Sequence, residues 1–160
     1  MPALSPEGAR FLFDQASELV DQQRSDLAEL RARAGVLLSA VSVSTAFLGT
    51  VVLQRVADWS IVEVGALAFF VLTSGACIIV LLPTSDWIFG LGAKVLADHF
   101  INADGLPCYA ELAEHRERHF EKNERKLKNK YSWFLAACCF LALDVGMWLW
   151  AMYRLPPPPR

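Results

Sequence analysis

A single carboxylate, Asp144, is the residue whose position most strongly suggests chemistry. It lies near the middle of an apolar run that covers residues 132–153. A charged carboxylate at the centre of a membrane-spanning helix costs about 2.5–3.5 kcal/mol on insertion scales, and such acids usually face a bundle interior or a water-filled cavity. One interpretation is therefore a pore-lining or proton-sensitive acid. The other is a carboxyl that holds helices together by bonding a neighbouring hydroxyl or backbone carbonyl.

A row of small side chains runs along another apolar stretch, residues 34–53. Ser39 and Ser42 belong to this row, and Thr45 lies beside it. Small residues let helix backbones approach closely, and hydroxyl groups can bond across the contact. The row predicts close helix packing, with a hydrophilic pore lining as the alternative. The two uses are compatible if the packing differs between a resting and an active state.

Five basic residues stand just before these two apolar runs. They are expected at about the same depth, because both helices would enter the membrane from the same side, and in an oligomer they would form a basic collar. Such a collar predicts a site for a phosphate group or an anionic lipid head group. The alternative is a topogenic signal that binds no ligand. The collar residues are Arg31, Arg33, Lys126, Lys128 and Lys130.

The sequence offers little for catalysis or for metal binding. It contains no Gly-rich phosphate loop, no Walker pattern and no nucleophile elbow. His115 and His119 have the spacing of metal ligands on a helix, but no third ligand is evident, so they are predicted to be solvated surface histidines. The four cysteines have neither zinc-like nor disulfide-framework spacing. We therefore expect a protein that is not an enzyme and needs no cofactor or metal.

Three apolar runs must position these residues. They cover residues 34–53, 60–82 and 132–153, and each is about as long as the roughly 20 residues that cross a hydrocarbon core of ~30 Å. The charges are segregated into residues 1–33 and 83–131, and the net charge of −2 gives no basic field for nucleic acid. The sequence predicts an all-α membrane protein with three transmembrane helices and a cytoplasmic, coiled-coil-like helical stalk.

The stalk prediction depends on apolar residues at alternating spacings of three and four. A helix is predicted from Pro6 into the first apolar run without interruption, and a second from near Pro107 into the third run. Between Pro83 and Pro107 the sequence predicts a capped helix followed by a turn. Three helices alone cannot enclose a water-filled pore, so a homo-oligomer is predicted. The seam of the first helix comprises Phe13, Ala16, Val20, Gln23, Leu27, Leu30 and Ala34.

Lysine and arginine predict the orientation. They concentrate in residues 1–33 and 83–131 and are sparse in the 54–59 turn and in the Pro-rich tail, residues 154–160. The positive-inside rule places the first two segments in the cytoplasm, with the turn and the tail outside. We expect the protein in the plasma (inner) membrane. Tryptophans near the ends of the runs, among them Trp148 and Trp150, are predicted to be interfacial aromatics.

The layout also resembles a known family. The matching features are residues 30–38 (LRARAGVLL) entering the first run, residues 86–90 (DWIFG) after the second, and residues 123–130 (NERKLKNK) before the last. This arrangement is similar to that of the membrane effectors of bacterial pyrimidine-cyclase (Pycsar) antiphage systems, and more distantly to SLATT-type effectors. The resemblance implies a protein that senses a cyclic nucleotide and then disrupts the inner membrane. The alternative is a non-catalytic scaffold or accessory subunit that anchors a cytoplasmic partner through its stalk.

Overall fold

The computed structural model describes residues 6–54, 60–83, 87 and 106–154 of the chain, and these residues form three helices without any strand. Helix α1 is Pro6–Leu53, α2 is Ile61–Leu81 and α3 is Leu106–Arg154. The predicted all-α fold is confirmed. The predicted 54–59 turn beyond Gln54, the capped helix after Pro83 with the turn that follows it, and the outer tail lie outside the described residues.

All three helices are long and apolar enough to cross a membrane, as predicted. α1 contains 48 residues and α3 contains 49. At about 1.5 Å per residue each is roughly 70 Å long, more than twice a hydrocarbon core of ~30 Å. Much of each helix must therefore lie outside the hydrocarbon, which matches the charged composition of their N-terminal halves.

The chain divides into two compact units. The charged unit comprises Met1–Glu29 and Pro83–Asn129, and the apolar unit comprises Leu30–Leu82 and Lys130–Arg160. Helices α1 and α3 each contribute residues to both units, whereas α2 belongs to the apolar unit alone.

The charged unit buries side chains that recur along one face of α1 and one face of α3. Val20 and Leu27 of α1 are buried, and so is Leu127 of α3. Two amides share these faces: Gln23 is 5% exposed and Asn123 is 2% exposed. The Nε2 atom of Gln23 donates a hydrogen bond of 3.1 Å to the carbonyl oxygen of Phe120, which joins the two helices.

The apolar unit has two clusters of buried side chains. In one, Val52 of α1 meets Ala66 of α2 and Trp148 of α3. In the other, Ala76 and Cys77 of α2 meet Ala137 of α3, with Leu37 and Leu38 of α1 packed against them. Since α1 and α3 residue numbers rise together from the second cluster to the first while α2 numbers fall, α1 and α3 run parallel and α2 runs antiparallel to both.

Local chemistry determines where α2 begins. Ser60 is the N-cap: its side chain accepts a hydrogen bond of 3.2 Å from the backbone N–H of Val62. The Glu63 carboxylate accepts a return bond of 2.8 Å from the backbone N–H of Ser60, which completes a capping box. The single acid of this apolar helix therefore satisfies a backbone donor at the helix start.

Candidate functional site

Asp144 is completely buried in the apolar unit, with a relative exposure of 0%. The hydroxyl group of Thr45, which is also buried, donates a hydrogen bond of 2.9 Å to its Oδ2 atom. The bond joins the middle of the apolar part of α1 to the middle of the apolar part of α3. Two residues that the sequence singled out separately are thus brought into one contact across 99 positions of chain.

The other hydroxyl candidates of α1 do something different. Ser39 donates to the carbonyl oxygen of Gly35 at 3.0 Å, and Ser42 donates to that of Leu38 at 2.8 Å. Both bonds run back to the residue four positions earlier, a common way for a helical hydroxyl to satisfy itself. Ser39 and Ser42 are exposed, so they do not meet Asp144. The four pore or packing candidates therefore fall into a buried pair, Thr45 and Asp144, and an outward-facing pair.

Trp148 completes the surroundings of Asp144. It follows Asp144 by one helical turn on the same face of α3 and is also 0% exposed. Asp144 Oδ1 and Trp148 Nε1 are both buried without a hydrogen-bond partner among the described residues. One is an acceptor and the other a donor, so the two atoms are chemically complementary.

The position of Trp148 corrects the sequence interpretation. An interfacial aromatic was predicted, but this indole lies inside the protein, packed beside Gly49 at a distance where a Cβ atom would make an ordinary contact of 3.5 Å with the ring. Trp150 is 51% exposed, as befits an interfacial side chain. The spacing of four between Asp144 and Trp148 was the available signal, because residues four apart share one face of a helix.

Lys130 is the most deeply buried of the five predicted collar residues, with a relative exposure of 6%. Its ammonium group donates three hydrogen bonds to the end of α2, to the carbonyl oxygens of Ile79 at 3.2 Å, Val80 at 2.8 Å and Leu82 at 3.0 Å. The last carbonyls of a helix lack partners within it, and a cation is favourable there. Lys130 therefore caps α2, and its three donors are engaged.

The remaining collar residues are divided between the units. Arg31 and Arg33 belong to the apolar unit, and Lys126 and Lys128 belong to the charged unit. Lys128 is exposed and pairs with Glu124 of its own helix at 2.8 Å. Arg31 is partly buried, and its Nε atom is buried without a hydrogen-bond partner among the described residues. The phosphate or lipid collar stays a prediction.

Metal ligands do not cluster in the part of the chain that the structure describes: no group of three or more His, Cys, Asp or Glu residues could hold a metal ion there. The side chain of His115 lies outside the described residues, so the predicted surface position of the histidine pair stays a prediction.

Comparison with known proteins finds no matching family model, no matching curated protein and no matching solved structure.

Proposed function

We propose that this protein is a membrane effector of a bacterial antiphage defence system, which responds to a cytoplasmic signal by disrupting the inner membrane. The observation that carries the proposal is Asp144, a fully buried acid in the apolar part of α3, bonded to Thr45 of α1. Ionisable residues inside transmembrane segments are costly and mark functional sites by default. A protein that needed only a stable three-helix anchor would gain by placing leucine there.

In the resting state, α1 and α3 are packed together and the Thr45–Asp144 contact is shielded from lipid. Separation of the two helices would uncover a hydroxyl and a carboxyl in the middle of the hydrocarbon, and water would follow them. Since three helices cannot enclose a wide channel, the hydrophilic path forms between protomers of a homo-oligomer. The outward-facing hydroxyls of Ser39 and Ser42 lie on the surface of α1 that remains available to neighbouring copies.

The signal would act on the charged unit. The helices that form the Thr45–Asp144 contact, α1 and α3, are also the two that contribute to that unit. Buried residues such as Val20 and Leu27 have heptad spacing, which supports a coiled-coil stalk. The family resemblance supports a cyclic nucleotide as the signal, bound by the stalk or by the basic collar. A change in the spacing of the stalk helices would then be carried along α1 and α3 themselves.

The orientation follows from the distribution of lysine and arginine, which supports a cytoplasmic charged unit. A reporter that is active only in the cytoplasm should be active when fused near Asn123. A reporter that is active only outside should be active when fused after Arg154. A fusion after Arg154 that is active in the cytoplasm would contradict this topology.

The function is tested by leakage of dye from vesicles that contain the purified protein, activated by signal or by high protein density. Asp144→Asn retains the size of the side chain and most of its hydrogen bonding but cannot ionise, so we expect altered leakage with unchanged assembly. The matched control is Ser42→Ala, which removes an outward-facing hydroxyl from the same membrane region and should leave leakage unchanged. Normal leakage from both Asp144→Asn and Asp144→Leu, with normal assembly, would remove the special role of this acid.

One observation favours a second candidate function. The bond from Thr45 satisfies an Asp144 oxygen within a single chain, which is what a helix-packing carboxyl in a passive anchor would show. The protein would then be a non-catalytic scaffold that holds a partner at the membrane through its charged unit. Overproduction separates the two functions, because an effector should depolarise cells whereas a scaffold should leave the membrane potential unchanged.

A further inference from the structure

Two basic side chains of the apolar unit, Arg31 and Lys130, are electrostatically coupled. Arg31 lies in α1 just before its apolar run, and Lys130 lies in α3 just before the corresponding run. The guanidinium group acts on the ammonium group as a repelling like charge. Two like charges that are partly removed from water destabilise each other, and the interaction becomes stronger as the local dielectric constant falls.

Arg31 has an unsatisfied hydrogen-bond donor within the described residues. Within the described residues it forms no ion pair, and its buried Nε–H has no acceptor. A buried donor without an acceptor is destabilising, and the cost is larger when the group is charged. Arg31 as a whole is only partly buried, so an acceptor from outside the chain can approach its guanidinium group, and beside two cations an anion is favoured over a neutral acceptor.

The hydrogen bonds of Lys130 determine which side chain can donate to this anion. Because all three N–H groups of Lys130 are directed to α2 carbonyls, it contributes charge at a constant position but no further hydrogen bonds. The donors must therefore come from Arg31. A guanidinium group presents parallel N–H donors that match two oxygens of one phosphate, which a point-like ammonium group does not.

We propose that Arg31 binds the phosphate group of a membrane lipid, with Lys130 as a neighbouring positive charge held in place by α2. The depth of the contact favours a lipid. Lys130 bonds the last turn of α2, a helix of membrane length, so the site lies where head-group phosphates are found. This inference rests on the membrane position of the helices and not on the effector activity, and it narrows the predicted collar to one anion-binding side chain.

The test uses the full-length protein in a neutral detergent, with the shift of its thermal unfolding midpoint as the measure of binding. Phosphatidylglycerol should raise the midpoint of the unmodified protein, while a diglucosyl lipid of similar tail length, which has no phosphate, should not. Arg31→Gln should bind phosphatidylglycerol about tenfold more weakly. Arg33→Gln is the matched control, since it removes the same charge from an exposed side chain two residues away, and it should bind normally.

An equal loss of binding in Arg31→Gln and Arg33→Gln would overturn the proposal, because it would indicate general attraction to an anionic surface. A shift with sodium phosphate alone and none with lipid would overturn the choice of lipid as the source of the phosphate. If Arg31→Gln does not assemble, Arg31→Lys can be tested instead, because it keeps the charge and loses the parallel N–H donors of the guanidinium group. Lipid binding by Arg31→Lys equal to that of the unmodified protein would count against the proposal. Vesicle leakage by Asp144 variants does not depend on these outcomes, so the two proposals can fail separately.

Discussion

Two buried polar contacts join α1 to α3, one in each unit, and they differ in the medium that surrounds their unit. In the charged unit, Gln23 donates to the Phe120 carbonyl, and its own Oε1 atom is buried without a partner among the described residues. In the apolar unit, Thr45 donates to Asp144 Oδ2, and Asp144 Oδ1 likewise has no partner in the part of the chain that the structure describes. Each contact thus satisfies one polar atom and leaves another buried.

The contacts should nevertheless have opposite effects on helix association. If the helices of the charged unit separate, water hydrates the Gln23 amide, so burying it is a cost. If the helices of the apolar unit separate in lipid, Thr45 and Asp144 have no water to bond, so their contact favours association by about 0.6 kcal/mol on average and up to about 1.7 kcal/mol. The value of a buried polar contact is set by what its atoms would meet when the contact is broken.

The largest effect is expected from placing a charge in the core of the charged unit. Leu27 is buried there, so Leu27→Glu should destabilise helix pairing by about 3 kcal/mol or more, because an unpaired charge would lie among apolar groups. The expected result is a lower thermal unfolding midpoint, measured by circular dichroism in detergent. Glu29→Gln, an exposed neighbour on α1, is the control. Equal effects of the two changes would remove the argument for a packed stalk.

The second-largest loss of stability is expected at the C-terminal end of α2. Lys130→Met keeps a long, flexible side chain but leaves three carbonyl oxygens without their donor. We expect a loss of about 2 kcal/mol in the stability of the apolar unit, observed as a lower thermal unfolding midpoint in detergent. Lys128→Met removes the same charge from an exposed surface pair with Glu124 and should change the midpoint little. Similar midpoints for the two variants would show that the cap contributes nothing measurable.

A smaller loss is expected when the donor to Asp144 is removed. Thr45→Val keeps the shape of the side chain and takes away the bond to Oδ2, so association of α1 with α3 should weaken by about 1 kcal/mol in a lipid environment. Ser42→Ala also removes a hydroxyl, but one that bonds only its own helix, and it should be nearly silent. Association can be measured by energy transfer between labelled helices in vesicles. A larger effect from Ser42→Ala would contradict the structure of the buried pair.

The smallest expected effect is a gain in the stability of helix pairing, whereas the preceding three are losses. Gln23→Leu replaces a half-satisfied buried amide with an apolar side chain in the unit that has water around it, so helix pairing should become stronger by about 0.5 kcal/mol. Thermal unfolding followed by circular dichroism would detect it as a raised midpoint. A lowered midpoint would end the contrast between the two units, because both contacts would then be stabilising.

Much of the fold could be predicted because helices of this length depend mainly on local features. The apolar runs and the three-and-four spacing of apolar residues along α1 required no knowledge of distant contacts. Asp144 could also be identified, since a carboxylate in an apolar run is unusual in any packing arrangement. Its partner could not be chosen from the sequence, where several hydroxyls of α1 were equal candidates.

Residue type and spacing by themselves determined that this chain is helical, that its three helices can cross a membrane and that an acid lies inside one of them. Only the tertiary structure decided which of two similar side chains became buried. Ser42 and Thr45 are three residues apart on α1, and Lys128 and Lys130 are two apart on α3, yet the first of each pair is exposed and the second is buried and bonded to another helix. The reason is geometric: each residue turns the helix by about 100°, and only packing against neighbouring helices determines which direction faces the protein interior.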